Sequence, residues 1–449
     1  MRYRFFWTWD HSTNWCLNQR GTQNTGVANY YTKESKLFVK DYKRAIDWCA
    51  AHKMSAMGCV GMLRDIHGGI DAAREICAYA REHDVRMYLI AGLFSYGGVY
   101  YEGNSQWSLD QFLKTHPDCI GRDKDGNQLI MHRINRWGNK PLITGCPSSP
   151  ELNQYVLDSL DWLFKTIPEL GGIQMESGDV GTCQCERCQA RRKAGGMSEG
   201  DSEMSFNDMA RIYAKCAKVI WNRSPDAWVI CESYRHFLDP ECQFFLSENP
   251  TPELKELLEL PEQTFWQWKC DRRLKSGAWT GEPMLEPLRK FRHIMRAHSG
   301  TQWWGGRHTL AVDEIRRQCL LSHKSGLQGV SIFGEGSVFH TNVEFNYLAL
   351  EYFADHPENT LENFAEDVMA SRLGGKLQAE KYLEFGVLNR DPAKIPAAVE
   401  EIARILHGVT DYEILRRWNY LASFLNTFYW EFRLPDYEER VESQNQNML

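Results

Sequence analysis

Short apolar runs alternate with longer amphipathic stretches from the N-terminus to about residue 355. The runs predict strands at about Tyr3–Asp10, Ser55–Met62, Arg86–Phe94, Gly172–Glu176, Trp228–Glu232, Gln263–Trp268, Thr301–Trp304 and Gln328–Phe333. The stretches between them predict helices at about Ser35–His52, Ile70–Glu82, Pro150–Thr166, Phe206–Asn222, Pro283–Ala297, Val312–Ser322 and Asn342–Ala354. The third of these carries its own start signal, with Ser148 or Ser149 as N-cap and Pro150 in the first turn. The strands are nearly continuous in apolar residues, as strands of a parallel sheet covered on both faces are. Eight such repeats predict the α/β class and a (β/α)8 TIM barrel rather than an open doubly wound sheet. From His356 the pattern is helical up to a polar tail, so the expected domains are a barrel at 1–355 and a small C-terminal helical domain at 356–449.

The ends of the strands carry the chemistry. The first run closes on Trp7-Thr8-Trp9-Asp10-His11, the fourth on Glu176 with Asp179 beyond it, the fifth on Glu232-Ser233-Tyr234, and the eighth on Gly334-Glu335-Gly336. In a (β/α)8 barrel the C-terminal strand ends face the active site. Carboxylates there suit proton transfer and nucleophilic attack at a glycosidic bond. Glu176 is the expected general acid. Glu335 is narrowly favoured over Glu232 as its partner, because the predicted seventh strand ends on Trp303 and Trp304 and offers no acid. Indole faces stack on the apolar faces of sugar rings, so Trp9, Trp266, Trp268, Trp303 and Trp304 are expected to bind substrate, with Asp10, His11, Asp179, Tyr234 and Lys269 beside them. The long segment 95–150 after the third strand is a candidate functional loop. Its Arg133 and Arg136 would suit a carboxylate or sulfate on an acidic sugar.

Cys183-Gln-Cys185-Glu-Arg-Cys188 places three thiols within reach of one tetrahedral metal, and Cys146 is the candidate fourth ligand of a structural zinc. No cofactor is expected for the chemistry itself. The 14 cysteines are scattered through predicted elements, which points to free thiols and a reducing cytoplasm rather than a disulfide framework. No secretory leader and no membrane-length apolar run is read from the chain. A net charge of −7 gives no electrostatic footprint for nucleic acid. The expected partners are therefore a carbohydrate substrate and, at most, further copies of the chain in a homo-oligomer.

Several motifs occur together: His116-Pro117, Asp123-Lys-Asp-Gly126, Cys146-Pro-Ser-Ser-Pro-Glu151, and Glu176-Ser-Gly-Asp179 followed by Cys-x-Cys-x-x-Cys. As a set they resemble a superfamily of barrel glycoside hydrolases that includes family-20 β-hexosaminidases, family-67 α-glucuronidases and family-163 endo-β-N-acetylglucosaminidases. The resemblance covers roughly residues 80–200. It implies a glycosidase with its acid on the fourth strand and does not single out one substrate; an acidic or N-acetylated sugar is the expected class. The chain departs from the family-20 pattern, which has an adjacent Asp-Glu pair where this one has Glu-Ser-Gly-Asp. Two other readings fit the same strand ends: a non-catalytic carbohydrate-binding barrel and a metal-dependent sugar isomerase or lyase.

Overall fold

The computed structural model describes residues 1–10, 12–16, 34–135, 138–176, 182–194, 206–300 and 308–433. The order is β1 (Tyr3–Trp9), α1 (Ser35–Ala51), β2 (Ala56–Val60), α2 (Gly69–Glu82), β3 (Arg86–Gly92), α3 (Leu109–Thr115), β4 (Ile130–Asn135), β5 (Gly138–Ile143), α4 (Pro150–Thr166), β6 (Gly172–Glu176), α5 (Glu186–Ala194) and α6 (Phe206–Arg223). It continues with β7 (Trp228–Glu232), α7 (Pro252–Leu258), β8 (Phe265–Lys269), α8 (Asp271–Ser276), β9 (Arg292–Arg296), α9 (Val312–Lys324), β10 (Gly329–Phe333) and α10 (Thr341–Asp355). Eight strands close a barrel in the order β1-β10-β9-β8-β7-β6-β3-β2, and every pairing is parallel. This is the (β/α)8 TIM barrel, followed by a C-terminal helical region. β4 and β5 form a separate antiparallel hairpin within the segment after β3. No described helix is long and apolar enough to cross a membrane.

The chain divides into two compact units, Met1–Ala297 with Ser322–Glu335, and His298–Leu321 with Gly336–Leu449. The first holds all the described strands. The second is helical where described, and the Trp418 indole N–H donates to the Leu373 carbonyl at 3.1 Å inside it. Its Arg417 also pairs with Glu344 at 2.7 Å.

Strand register decides which side chains enter the barrel. Phe5 lies beside Ala56 and Ser331, and Gly58 lies beside Tyr88, so one alternate set runs around the interior. At the N-terminal end of the strands that set is aromatic. Phe5 stacks on Trp228 with ring centroids 5.2 Å apart, and Trp228 and Tyr3 each pack on Phe265, at 4.8 and 5.0 Å. Gly58 is required there, because a Cβ would sit 2.3 Å from the Tyr88 ring. The floor is therefore an aromatic plug, with the Arg86 guanidinium over Trp228 and that of Arg292 over Phe265, and the inward carboxylates lie at the other end.

One expected element is corrected. The seventh barrel strand is β9, Arg292–Arg296; the run expected to supply it, Thr301–Trp304, lies outside the described residues, and the helix expected over Pro283–Ala297 does not form. Arg292-His-Ile-Met-Arg296 has the period of a strand but carries charge on its inward positions, which its local pattern cannot neutralise. The counter-charges for Arg296 come from across the barrel mouth, from Glu232 on β7 and Glu176 on β6.

His293 lies on the outward face of β9, fully buried. Its Nδ1 accepts from the Trp268 indole N–H at 3.0 Å, and its Nε2–H donates to the Leu288 carbonyl at 2.8 Å. Burial pushes it down to about 4, and the bond to the Leu288 carbonyl only partly opposes that fall. The unfolded chain protonates at the ordinary histidine value. The stability this residue contributes is thus complete above about pH 6.5 and is lost as pH falls towards 4. Between pH 7 and pH 5 the native protein is expected to lose about 2 kcal/mol more than His293→Gln, read by urea unfolding. Parallel losses in the two proteins would contradict the assignment.

Candidate active site

Glu176 and Glu232 end neighbouring strands. Met175 pairs with Cys231, so the two glutamates are the next residues in the same register and point to the same inward face. Both are buried, at 4% and 1% exposure. Between them lies Arg296, the last residue of β9. Its Nη2 is 2.9 Å from Glu232 Oε1, and its Nη1 is 3.9 Å from Glu176 Oε1. Gln174, two residues earlier on β6, donates from Nε2 to Glu232 Oε2 at 3.1 Å. Burial raises the Glu232 carboxyl and Arg296 opposes that rise. Burial likewise works against the charge of Arg296, but Glu232 and Glu176 outweigh it and its pKa is raised.

Lys269 lies beside Arg296 in the register of β8 and β9, so the mouth has an acidic half from β6 and β7 and a basic half from β8 and β9. Tyr234 sits between the two cations, its ring centroid 4.2 Å from Lys269 Nζ and 5.3 Å from the Arg296 guanidinium carbon. Its backbone is left-handed, with φ 54°. A non-glycine residue persists there only when its surroundings hold it. Ser233 does so, donating to the Gln267 carbonyl at 3.1 Å while accepting from Arg235 N–H at 3.1 Å. Trp7 lies beneath Arg296, its ring centroid 5.0 Å from the guanidinium carbon.

Asp10 and Glu335 are held differently. Asp10 is fully buried, 2.5 Å from Arg64 Nε and 3.3 Å from His67 Nε2. Arg64 pairs in turn with Glu102. Glu335 accepts on Oε1 from Trp9 N–H at 3.1 Å and from Ser12 O–H at 2.7 Å, and its carbonyl takes Asn14 N–H at 2.7 Å. It ties the segment after β1 to the end of β10. Trp9 is buried, edge-on to Trp7 at 5.7 Å and to Tyr96 at 6.1 Å.

Trp266 and Trp268 are not brought to the mouth. The alternation that sends Gln267 and Lys269 inward sends them outward, where both are fully buried. Trp266 packs on Phe245 and Tyr213, and Trp268 on Phe237. Arg133 lies on β4, paired with Lys140 across the hairpin. His11, Arg136, Asp179, Trp303 and Trp304 lie outside the described residues. Arg296 and Gln174 were not singled out from sequence. The signal available for Arg296 was the period-two alternation of β9.

The four cysteines expected together are together. The sulfurs of Cys146, Cys183, Cys185 and Cys188 all lie within 4.8 Å of one another. Cys146, Cys183 and Cys188 are buried and Cys185 is half-buried.

Strands that close with paired carboxylates about a buried guanidinium define a (β/α)8 barrel with a polar mouth. No family model matches the chain, and no curated protein sequence does. Among solved structures it is similar to a GH138 enzyme targeting pectin rhamnogalacturonan II, at 11% identity and a TM-score of 0.52 over 95% of this chain and 57% of that one. It thus spans little more than half the length of that protein. A polyextremophilic β-galactosidase from Halorubrum lacusprofundi superposes with a TM-score of 0.44 at 10% identity, over 72% of this chain and 56% of that one. The cyclic α-maltosyl-(1→6)-maltose hydrolase from Arthrobacter globiformis gives 0.44 at 9% identity, over 79% of this chain and 83% of that one. Likeness at such identity speaks to the fold alone.

Proposed function

We propose that the chain is a glycoside hydrolase whose paired carboxylates are Glu176 and Glu232. The observation that carries this reading is their placement at one register level of adjacent strands, facing a single guanidinium. Neighbouring strands lie about 4.8 Å apart. A carboxyl pair rooted at that spacing suits the roughly 5–5.5 Å separation of retaining glycosidases better than the wider gap of inverting ones. Glu232 is assigned as nucleophile in place of Glu335 because it shares a register level with Glu176 and faces the same guanidinium, whereas Glu335 Oε1 holds the Trp9 and Ser12 donors that tie the segment after β1 to the end of β10. Glu176 protonates the glycosidic oxygen as Glu232 attacks the anomeric carbon. The carbon–oxygen bond to the leaving group breaks and a glycosyl ester forms. Glu176 then takes a proton from water as that water releases the sugar.

The basic half of the mouth refines the substrate class. Lys269 and Arg296 on either side of Tyr234 suit a sugar bearing a carboxylate. The test is a panel of aryl uronides, neutral aryl glycosides and N-acetyl aryl glycosides, with the anomer first released read by proton NMR. Turnover of a uronide with retention is the expected result. Release of the inverted anomer would remove the nucleophile role from Glu232, and no turnover on any arm would favour a binding barrel.

A further inference from the structure

α5 has almost nothing apolar to hold it in place. Of its nine residues, Glu186-Arg-Cys-Gln-Ala-Arg-Arg-Lys-Ala194, only Cys188 and Arg192 are buried. A helix this short needs tertiary support. What it packs against is sulfur. Cys188 Sγ lies 3.6 Å from Cys146 Sγ, and Cys185 Sγ, just ahead of the helix, lies 3.7 Å from Cys146 Sγ. Neither distance is a disulfide, whose sulfurs are about 2.05 Å apart. Both are close to the edge of a tetrahedron with a metal at its centre. Two thiolates bound at about 2.3 Å with a tetrahedral angle lie about 3.8 Å apart.

The surroundings suit a charged centre. Arg122 N–H donates to Cys183 Sγ at 3.3 Å. Ser148 Oγ lies 3.1 Å from Cys188 Sγ and accepts from Arg191 Nε at 3.1 Å. Arg192 Nη2 donates to the Cys183 carbonyl at 2.7 Å, and Asp208 holds Arg192 at 3.0 Å. Four thiolates around a divalent ion carry a net double negative charge. Arg191 and Arg192, which share Asp208, offset part of it in a buried place.

We propose that Cys146, Cys183, Cys185 and Cys188 bind one Zn²⁺ as a tetrathiolate. The ion replaces the thiol protons and fastens α5, with the turn before it, to the segment between β5 and α4. The first anchor follows β6, which carries Glu176, and the second closes the long segment after β3. The clasp therefore joins two segments that leave the C-terminal ends of barrel strands. Its role is structural, and it stands independently of the glycosidase reading.

The experiment uses the full chain, produced with zinc in the medium. Metal analysis is expected to give about one zinc per chain. Exchange for Co²⁺ is expected to give the visible bands and intense sulfur-to-metal absorption of a tetrahedral tetrathiolate. Cys185→Ser, at the half-buried position, should weaken that absorption. Ser148→Ala changes no ligand and keeps the test open if the cysteine variants fail to fold; it should lower zinc affinity roughly 10–100-fold, the usual effect of losing an outer partner. A folded, metal-free chain that takes up neither Zn²⁺ nor Co²⁺ would overturn the proposal. So would iron in the purified protein, or a disulfide among these four residues found by mass spectrometry.

Discussion

Glu176→Gln is expected to lower turnover of a glycoside with a poor leaving group by roughly 10²–10⁴-fold, the usual worth of general acid–base catalysis. The amide keeps the size of the side chain and can still face Arg296, so the fold is expected to persist. It cannot deliver a proton to the departing oxygen. An aryl leaving group that departs as a stabilised phenolate needs that proton much less, and its first step should fall far less. The second step still needs a base for water, so the glycosyl ester should accumulate and appear as a burst of phenol. Equal and near-native activity on both substrates would remove Glu176 from the chemistry. Equal, severe loss on both, with no burst, would point to a binding role instead.

The parts of the fold that were legible in the sequence are those whose side chains need no distant partner. Gly172–Glu176 and Trp228–Glu232 are apolar until their last residue, and both strands form where the pattern puts them. Ser149 does cap α4, accepting from Leu152 N–H, with Pro150 in its first turn. β9 was illegible for the opposite reason. Two arginines and a histidine in five residues look like a helix end, and become a strand only because Glu232, Trp268 and other strands satisfy them. Trp266 and Trp268 were illegible for a different reason. An indole near a strand end faces the mouth or the helices according to its parity, and Trp266 and Trp268 have the outward one. The cysteine cluster was legible because its three-residue motif is local, and Cys146 could be named as the fourth member. Arg296, central to the polar cluster, could not be found by spacing, because its partners lie 64 and 120 residues earlier in the chain.

Glu232 and Glu335 are separated by a paired substitution. Glu232→Gln is expected to reduce activity on the order of 10⁴–10⁶-fold, the scale seen when a covalent nucleophile is removed. Glu335→Gln should leave activity within about tenfold, since its side-chain oxygen can still accept from Trp9 N–H and Ser12 O–H. The glutamine variant of Glu232 is chosen because alanine strands Arg296: a buried ion pair that loses one partner costs about 3–5 kcal/mol. Gln keeps one acceptor oxygen for Arg296, and its new NH2 can donate to Gln174 once that amide turns its oxygen round, so a loss of activity with little change in thermal unfolding would mark chemistry rather than folding. Glu232→Ala, if it folds, adds the stereochemical readout. Azide can enter the vacated volume and attack the anomeric carbon of an activated aryl glycoside, giving a glycosyl azide of inverted configuration. That product would identify Glu232 as the nucleophile of a retaining enzyme. If Glu335→Gln is instead the crippled variant and Glu232→Gln turns over normally, the nucleophile is Glu335, and Glu232 with Arg296 is a buried pair that shapes the mouth. If both variants are active, the two-carboxylate mechanism fails for this barrel, and the carboxylates at the ends of β6 and β7 serve to bind a sugar that is not cleaved.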